Sequence, residues 1–255
     1  MSGAPLLSLI APAWNERASI DEFVSEADAA LAALPSTSEL LCVDDGSTDG
    51  TGQRLAELSR KFPRLRPLQL ARHAGKSAAL CAGFDRARGQ VFGLIDVDLQ
   101  NDPRDLGLLL AALAGDGQRP GPSLVNGRRR RREDSWLRLA SSSVGNRLRA
   151  AINGGPVEDS ASGLKVAGAE TLRRLPRFEG MHRFLPTLVR MYGGTVLEMD
   201  VAHRPRRHGG SRYGSGLLRA PVTLLDALGV RWLSHRLIDA RVKELIETRL
   251  PPPGT

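Results

Sequence analysis

Three apolar runs that each stop at an acidic cluster constrain this chain more than any other feature. Leu6-Leu-Ser-Leu-Ile10 leads into Pro12-Ala-Trp-Asn-Glu16, Leu40-Leu-Cys-Val43 into Asp44-Asp-Gly-Ser-Thr-Asp-Gly50, and Val91-Phe-Gly-Leu-Ile95 into Asp96-Val-Asp-Leu-Gln100. A further isolated carboxylate is Asp159. Short runs of this unbroken apolar character are expected of strands buried on both faces of a parallel sheet. In an open α/β sheet the ligand crevice lies beyond the carboxyl ends of the strands, so the acidic clusters should meet in one cleft. That cleft is the candidate active site.

The segments between the runs carry helical periodicity. One helix is expected from Ser19 to Leu34, opened by a Ser-x-x-Glu box (Ser19 to Glu22) and stopped at Pro35. Others should run from about Asp49 to Phe62, from Lys76 to Ala87 after a strand Leu68-Gln-Leu70, and from a cap near Asp102-Pro103 to Ala114. Gly115 to Pro122 reads as a surface loop, Ser123 to Asn126 as a short strand, and Thr195 to Val201 as another. Ser135 to Ile152 reads as a basic amphipathic helix around Trp136. A second stripe, Leu217, Leu224, Leu225, Leu228 and Trp232, is flanked by Arg219, Arg231 and Arg236 and broken by Pro221 and Gly229. The fold expected is α/β, a mostly parallel central sheet flanked by helices with C-terminal amphipathic helices, divided as a catalytic domain over 5–214 and a helical, interface-seeking segment over 215–250.

The 255 residues suffice for a core without disulfide staples, and 36 Lys+Arg against 28 Asp+Glu leave a net charge of +8, most of it arginine. That sign points to an anionic partner: nucleic acid, lipid headgroups or a phosphorylated small molecule. Cys42 and Cys81 stand in apolar surroundings, as expected of buried thiols in a reducing compartment. No basic n-region precedes the first apolar run, and no stretch approaches the roughly 18 apolar residues of a spanning helix. The chain is therefore expected on the cytoplasmic side, meeting the inner membrane face only peripherally.

Asp96, Asp98 and Gln100, spaced by two, offer an all-oxygen site for Mg²⁺ or Mn²⁺. With Glu16, Asp44 and Asp45 they would crowd five carboxylates round one crevice, a repulsive cluster unless cations or hydrogen-bond donors compensate. A nucleotide diphosphate with its metal meets that need. Gly75-Lys-Ser77 ends like a triphosphate-cradling loop, but Leu70 stands where such a loop needs its first glycine, which leaves Lys76 as a helix-terminal lysine able to assist phosphate binding. Arg128 to Arg132 form an unbroken arginine run suited to pyrophosphate or lipid phosphate, and the 4% aromatic content offers few stacking platforms for nucleic acid.

Taken jointly, these motifs resemble those of the family 2 glycosyltransferases with the Rossmann-like GT-A fold. The stretch from Arg129 through Asp159-Ser-Ala-Ser-Gly-Leu-Lys165 and the later His203-Arg-Pro-Arg-x-x-Gly-x-Ser-Arg-Tyr213 are similar to the polyprenyl-phosphate branch, the dolichol-phosphate mannose synthase-like enzymes. The resemblance implies inverting transfer of a hexose from GDP-mannose or a UDP-hexose to a polyprenyl phosphate (undecaprenyl or dolichyl). Carried over by position, Pro12, Trp14, Glu16, Val43 and Asp45 would hold the nucleoside, and Asp96, Asp98 and Gln100 the metal. Arg129, Arg206 and Arg212 would grip phosphates, Arg129 joining Asp96 and Asp98 in the chemistry. Arg138, Ser141 and Lys165 are the candidates for the acceptor phosphate. Trp14 stands at a usual tyrosine and Arg212 at a usual lysine; many bacterial relatives carry C-terminal transmembrane helices, and none is expected from this sequence. The competing readings are the same donor chemistry on a soluble saccharide or protein acceptor, and a basic nucleic-acid-binding module.

Overall fold

The computed structural model describes residues 6–115, 121–129, 159, 162–205, 207 and 216–236. The expected alternation of strand and helix opens the fold: β1 (Leu7–Ala13), α1 (Ile20–Ala32), β2 (Ser38–Asp44), α2 (Thr51–Leu58), β3 (Leu65–Gln69), α3 (Lys76–Arg86) and β4 (Val91–Leu94). A turn of 3₁₀ helix, Pro103–Asp105, enters α4 (Leu106–Ala114), followed by β5 (Leu124–Arg129). After β6 (Lys165–Gly168) come α5 (Ala169–Arg173), a 3₁₀ turn Met181–Arg183, α6 (Leu185–Met191), β7 (Val196–Val201) and α7 (Gly216–Ser234).

Among the described residues seven strands form one sheet in the order β3-β2-β1-β4-β6-β5-β7. The first four are parallel, β6 runs antiparallel to both β4 and β5, and β7 returns parallel to β5. The chain winds outward from β1 through β2 to β3, then crosses back to place β4 on the other side of β1. The order reverses there, so the carboxyl ends of β1 and β4 flank the crevice that such a reversal opens.

Side chains alternate across the sheet and both faces are covered. Leu7, Leu9 and Ala11 of β1 pack with Phe23 and Leu31 of α1 and Leu106 and Leu109 of α4, whereas Ile10 packs on the opposite face with Leu80 and Phe84 of α3 and Phe92. That double burial explains why these strands are apolar without interruption. β3 starts earlier than expected because Leu65 enters the core, and Pro67 is tolerated because β3 is an edge strand. Strand β6 and helices α5 and α6 had no sequence counterpart, since four residues headed by Lys165 carry too little periodicity to read.

Two local expectations are corrected. Ser19 makes no capping bond; its hydroxyl donates to Glu16 Oε2 at 2.7 Å, so it fixes a residue of the preceding loop instead of the helix end. α7 runs unbroken through Pro221 and Gly229. By contrast Asp102 caps its helix as expected, accepting from Arg104 N at 3.0 Å with Pro103 following. The expected helix at 135–152 lies outside the described residues.

At the sheet end away from the crevice, the buried carboxylate of Glu39 accepts from Ser8 Oγ (2.6 Å), from Arg88 N (2.7 Å) and from Arg66, tying β1, β2, β3 and the α3–β4 turn. Desolvation would raise its pKa, but these donors outweigh it and hold the group below the ordinary glutamate range. A carboxylate depressed in the folded state stabilises above its unfolded pKa and loses that contribution as protons are taken up. Stability is therefore expected to fall as pH drops below about 4.3, with Glu39→Gln less stable than the parent at pH 7 and less acid-sensitive, as read by urea unfolding at the two pH values.

Candidate active site

A cleft of about 680 Å³ opens where β1, β2 and β4 end, a size suited to a nucleotide-linked ligand. Its lining brings together Pro12, Trp14, Glu16, Asp45, Lys76, Asp96, Asp98 and Lys165. Asp44 is excluded. It accepts from Ser47 N (3.1 Å) and Gln69 Nε2 (2.8 Å) and is fully buried, because consecutive residues of an extended chain point to opposite sides. The crevice thus holds four of the five expected carboxylates, and Glu179 and Asp226 join them.

At one end, Asn15 adopts φ 52° and its side-chain oxygen accepts from Thr48 N at 2.8 Å, while Glu16 N donates to Thr51 Oγ1 at 2.9 Å. The loop after β1 is thereby laced to the loop after β2. Asp45 accepts from Ala74 N and Gly75 N, each at 2.8 Å, and His73 Nδ1 lies 2.9 Å from its Oδ2. The His73 ring stacks on Trp14 with centroids 4.1 Å apart. Gly46, at φ +66°, permits this closeness: a Cβ there would sit 2.5 Å from the Arg72 carbonyl carbon and 2.6 Å from His73 N.

In the middle, Lys76 Nζ meets Asp96 Oδ1 at 2.5 Å. Burial pushes the Asp96 carboxyl upward, but the Lys76 ammonium overrides it and the group stays below its ordinary range. Gly163 lets the neighbouring loop approach, since a Cβ there would stand 2.6 Å from Asp96 Oδ2. Lys165, buried beneath, is lowered to about 8 by desolvation and then by Lys76, and its ammonium donates to the Ser162 carbonyl. His182 is driven down to about 3 by burial and by Lys76 and Arg183, so it is neutral at physiological pH. Ser77 Oγ accepts from Gly180 N (3.1 Å) and lies 2.8 Å from His182 Nδ1, which fixes the orientation of the imidazole.

Beyond β4, Leu99 is buried in the left-handed region at φ 63°, a strained conformation for a branched residue. Asp98 accepts there from Gln100 N at 3.2 Å. Asp96 and Asp98 line the cleft, and Gln100 is not among its lining residues. Among the described residues, no three His, Cys, Asp or Glu side chains cluster closely enough to hold a metal unaided.

Other expected site residues lie elsewhere. Val43 is buried in the core beside Ile10 and Leu80, not in the cleft wall. Arg129 is gripped bidentately by buried Asp159 (2.7 and 2.8 Å) and is absent from the lining, and Arg128 pairs with Asp200 at 2.7 Å. In the cationic run after β7, Arg204 bridges Glu26 and Asp102, and Arg207 meets Glu22. Arg138, Ser141, Arg206, Arg212 and the rest of the arginine run, 130–132, lie outside the described residues. Sequence reasoning missed His73, Glu179, His182, Arg183 and Asp226; only the polar block Glu179-Gly-Met-His-Arg183 ahead of an apolar helix could have signalled the middle three. Cys42 and Cys81 are free thiols whose pKa burial raises, as expected of packing residues.

The glycosyl transferase family 2 profile matches residues 8–173. The chain is 36% identical over 227 residues to the dodecaprenyl-phosphate galacturonate synthase of Rhizobium johnstonii, covering 88% of this chain and 66% of that protein. It is 30% identical over 234 residues to the undecaprenyl-phosphate 4-deoxy-4-formamido-L-arabinose transferase of Aeromonas hydrophila, covering 90% and 70%. The chain spans about two thirds of the length of these curated relatives. Among solved structures it resembles glucosyl-3-phosphoglycerate synthase from Mycobacterium tuberculosis bound to phosphoglyceric acid, at TM-score 0.67, 25% identity and 89% and 81% coverage. The same enzyme in complex with Mg²⁺ and UDP gives TM-score 0.66 and 26% identity over 89% and 80%. Strand order, cleft position and these likenesses agree: the chain belongs to glycosyl transferase family 2, in its polyprenyl-phosphate branch.

Proposed function

We propose that the chain transfers a sugar from a UDP-linked donor to a polyprenyl phosphate with the aid of Mg²⁺ or Mn²⁺. The observation that carries this reading is the meeting of Glu16, Asp45, Asp96 and Asp98 with Lys76 and Lys165 in one cleft at the strand-order reversal. UDP is favoured over GDP-mannose because a structural neighbour at 26% identity is crystallised with UDP and Mg²⁺. The relatives' names supply the acceptor class.

The donor set fits a hard divalent cation: Asp96 and Asp98 present carboxylate oxygens to one cleft, and Asp96 already attracts the cationic Lys76. When bound, such an ion supplies positive charge against the donor diphosphate. The chain's own groups do the rest. Lys76 and Lys165 place two cationic side chains in the wall where leaving-group charge would develop, and such preorganised charge dominates rate in a partly dry site. An acceptor phosphate is anionic at neutral pH and needs no base: its oxygen attacks the anomeric carbon, the carbon–oxygen bond to the diphosphate breaks, and nucleoside diphosphate departs. Neutral His182 presents an uncharged imidazole beside the same space, suited to hydrogen bonding with a sugar hydroxyl.

A lipid acceptor is further supported by α7. Ala227 and Val230 face the core, while Leu225 (67% exposed), Leu228 and Trp232 (60%) share an outward apolar face, with Arg236 4.9 Å from the Trp232 ring centroid. Among the described residues no helix is long and apolar enough to cross a membrane. The proposed division is therefore a catalytic unit over 5–214 and an interfacial segment over 215–250. A second reading, transfer to a soluble phosphorylated acceptor, is favoured by the phosphoglycerate complex of the structural neighbour. The nucleic-acid reading loses support, since Arg128 and Arg129 are engaged by carboxylates.

Incubation with labelled UDP-sugars, polyprenyl phosphate and Mn²⁺ is expected to yield butanol-extractable label, reduced at least about a hundredfold by Asp98→Asn. Label that appears only in the aqueous phase, and only with a phosphorylated small acceptor, would select the second reading. Lys165 carries a stability signature of the same site. A lysine lowered in the folded state is bound by more protons in the unfolded chain, so the parent should gain stability from pH 7 to 10. Lys165→Met is expected to be more stable than the parent at pH 7, to lack that gain and to lose transferase activity, as measured by chemical unfolding and turnover.

A further inference from the structure

We infer that Arg183 grips the phosphate of the acceptor, and that Asp226 of α7 stands in that phosphate's place until it arrives. This rests on the reading of the chain as a transferase to a phosphate acceptor and names the group that holds the attacking phosphomonoester. Among the described residues Arg183 is the arginine of the cleft lining. Arg128, Arg129, Arg204 and Arg207 are engaged by carboxylates that lie outside that lining. The Arg183 side chain is 27% exposed, and Asp226 Oδ2 stands 3.6 Å from its Nη1, an ion pair too long for a hydrogen bond. A guanidinium so placed keeps its forked N–H donors for a phosphate, which it can take in bidentate fashion.

The turn that carries Arg183 is firmly held. Met181 and Phe184 on either side are buried, Gly180 N donates to Ser77 Oγ at 3.1 Å, and Arg183 N donates to the Gly180 carbonyl at 3.0 Å. Gly180 stands at φ +86°, and a Cβ there would come within 3.0 Å of Asp226 Oδ2, so the glycine lets the α7 carboxylate close on the turn. His182 is depressed by burial and then by Lys76 and Arg183, which sets both cations beside one stretch of wall. Lys76 answers Asp96 on the side of the departing diphosphate, and Arg183, on a different element, offers a second cation to the incoming anion. Helix α7 supplies the direction of approach: Asp226 lines the cleft while Leu225 and Leu228 on either side of it in the chain are exposed. A prenyl chain lying along that apolar face brings its phosphate to the Asp226 end of the cleft. Carboxylate and phosphate then compete for one guanidinium, and the resting pair parts as the phosphate binds.

Steady-state transfer of label from UDP-sugars to undecaprenyl phosphate in detergent, and in parallel to 3-phosphoglycerate in buffer, tests this with Arg183→Gln, Arg183→Lys and Asp226→Asn. Arg183→Gln should raise the acceptor KM at least about tenfold while the calorimetric affinity for UDP in Mn²⁺ stays within about twofold, and Arg183→Lys should recover part of the loss. Asp226→Asn should lower the acceptor KM about threefold, because the competing charge is gone. Opposite signs from the two members of one ion pair mark competition. A merely structural pair would move both variants the same way, and that result overturns the inference. So does an Arg183→Gln variant whose acceptor KM is unchanged, or whose loss is confined to the donor KM, which would give the guanidinium to the transferred sugar. The expected pattern with undecaprenyl phosphate places the phosphate on a lipid; the same pattern with 3-phosphoglycerate alone keeps Arg183 as its ligand and makes the source soluble. A parent that passes label to neither acceptor overturns the acceptor reading and this inference together. Should Arg183→Gln not fold, Asp226→Asn decides alone: a lower acceptor KM supports the inference, and an unchanged or higher one contradicts it.

Discussion

The site depends on one electrostatic compromise. Asp96 and Asp98 leave β4 side by side in a crevice that also contains Glu16 and Asp45, and like charges so placed repel unless cations answer them. Lys76, at the first position of α3, reaches Asp96; Lys165, at the first position of β6, is buried nearby and gives up part of its proton affinity to be there. Neither lysine is explained by packing. The arrangement holds opposite charges in readiness at the place where a diphosphate and a divalent ion would supply them in turn.

The fold makes this compromise possible by fixing the crevice walls to different parts of the sheet. Glu16 follows β1, Asp45 follows β2, Lys76 opens α3, and Asp96 follows β4, so the geometry is set by strand pairing and not by any one loop. The loops are then cross-linked: Asn15 to Thr48, Glu16 to Ser19, Asp45 to Ala74 and Gly75. Among the described residues two non-glycines stand at positive φ: Asn15, within these cross-links, and Leu99, beside the acidic pair, whose residue type disfavours that conformation. On the far wall, Asp226 of α7 lies 3.6 Å from Arg183, so the helix with the outward apolar face also closes the cleft.

Legibility from sequence followed physical cause. The parallel half was readable because strands buried on both faces have few sequence solutions, and because carboxylates at their ends have few structural uses. Strand order was not, since nothing local says that β4 crosses beside β1. Asp44 and Asp45 look alike in sequence, yet the pleat sends one into the interior and the other toward the crevice. The left-handed turn at Leu99, just after Asp98, could not be inferred from the residue type that occupies it. The pairing of Arg129 with buried Asp159, 30 residues on, was invisible because it joins residues distant in the chain. His73 and His182 were silent because their contacts with Asp45 and Ser77 exist only in the folded chain.

The most direct measurement is a crystal of the chain grown with UDP and Mn²⁺, with the manganese located by its anomalous scattering. Manganese bound by Asp96 and Asp98, with Lys76 drawn from Asp96 toward the diphosphate, is the result this account requires. Manganese elsewhere in the molecule, with the Lys76–Asp96 pair intact while UDP occupies the cleft, would contradict it.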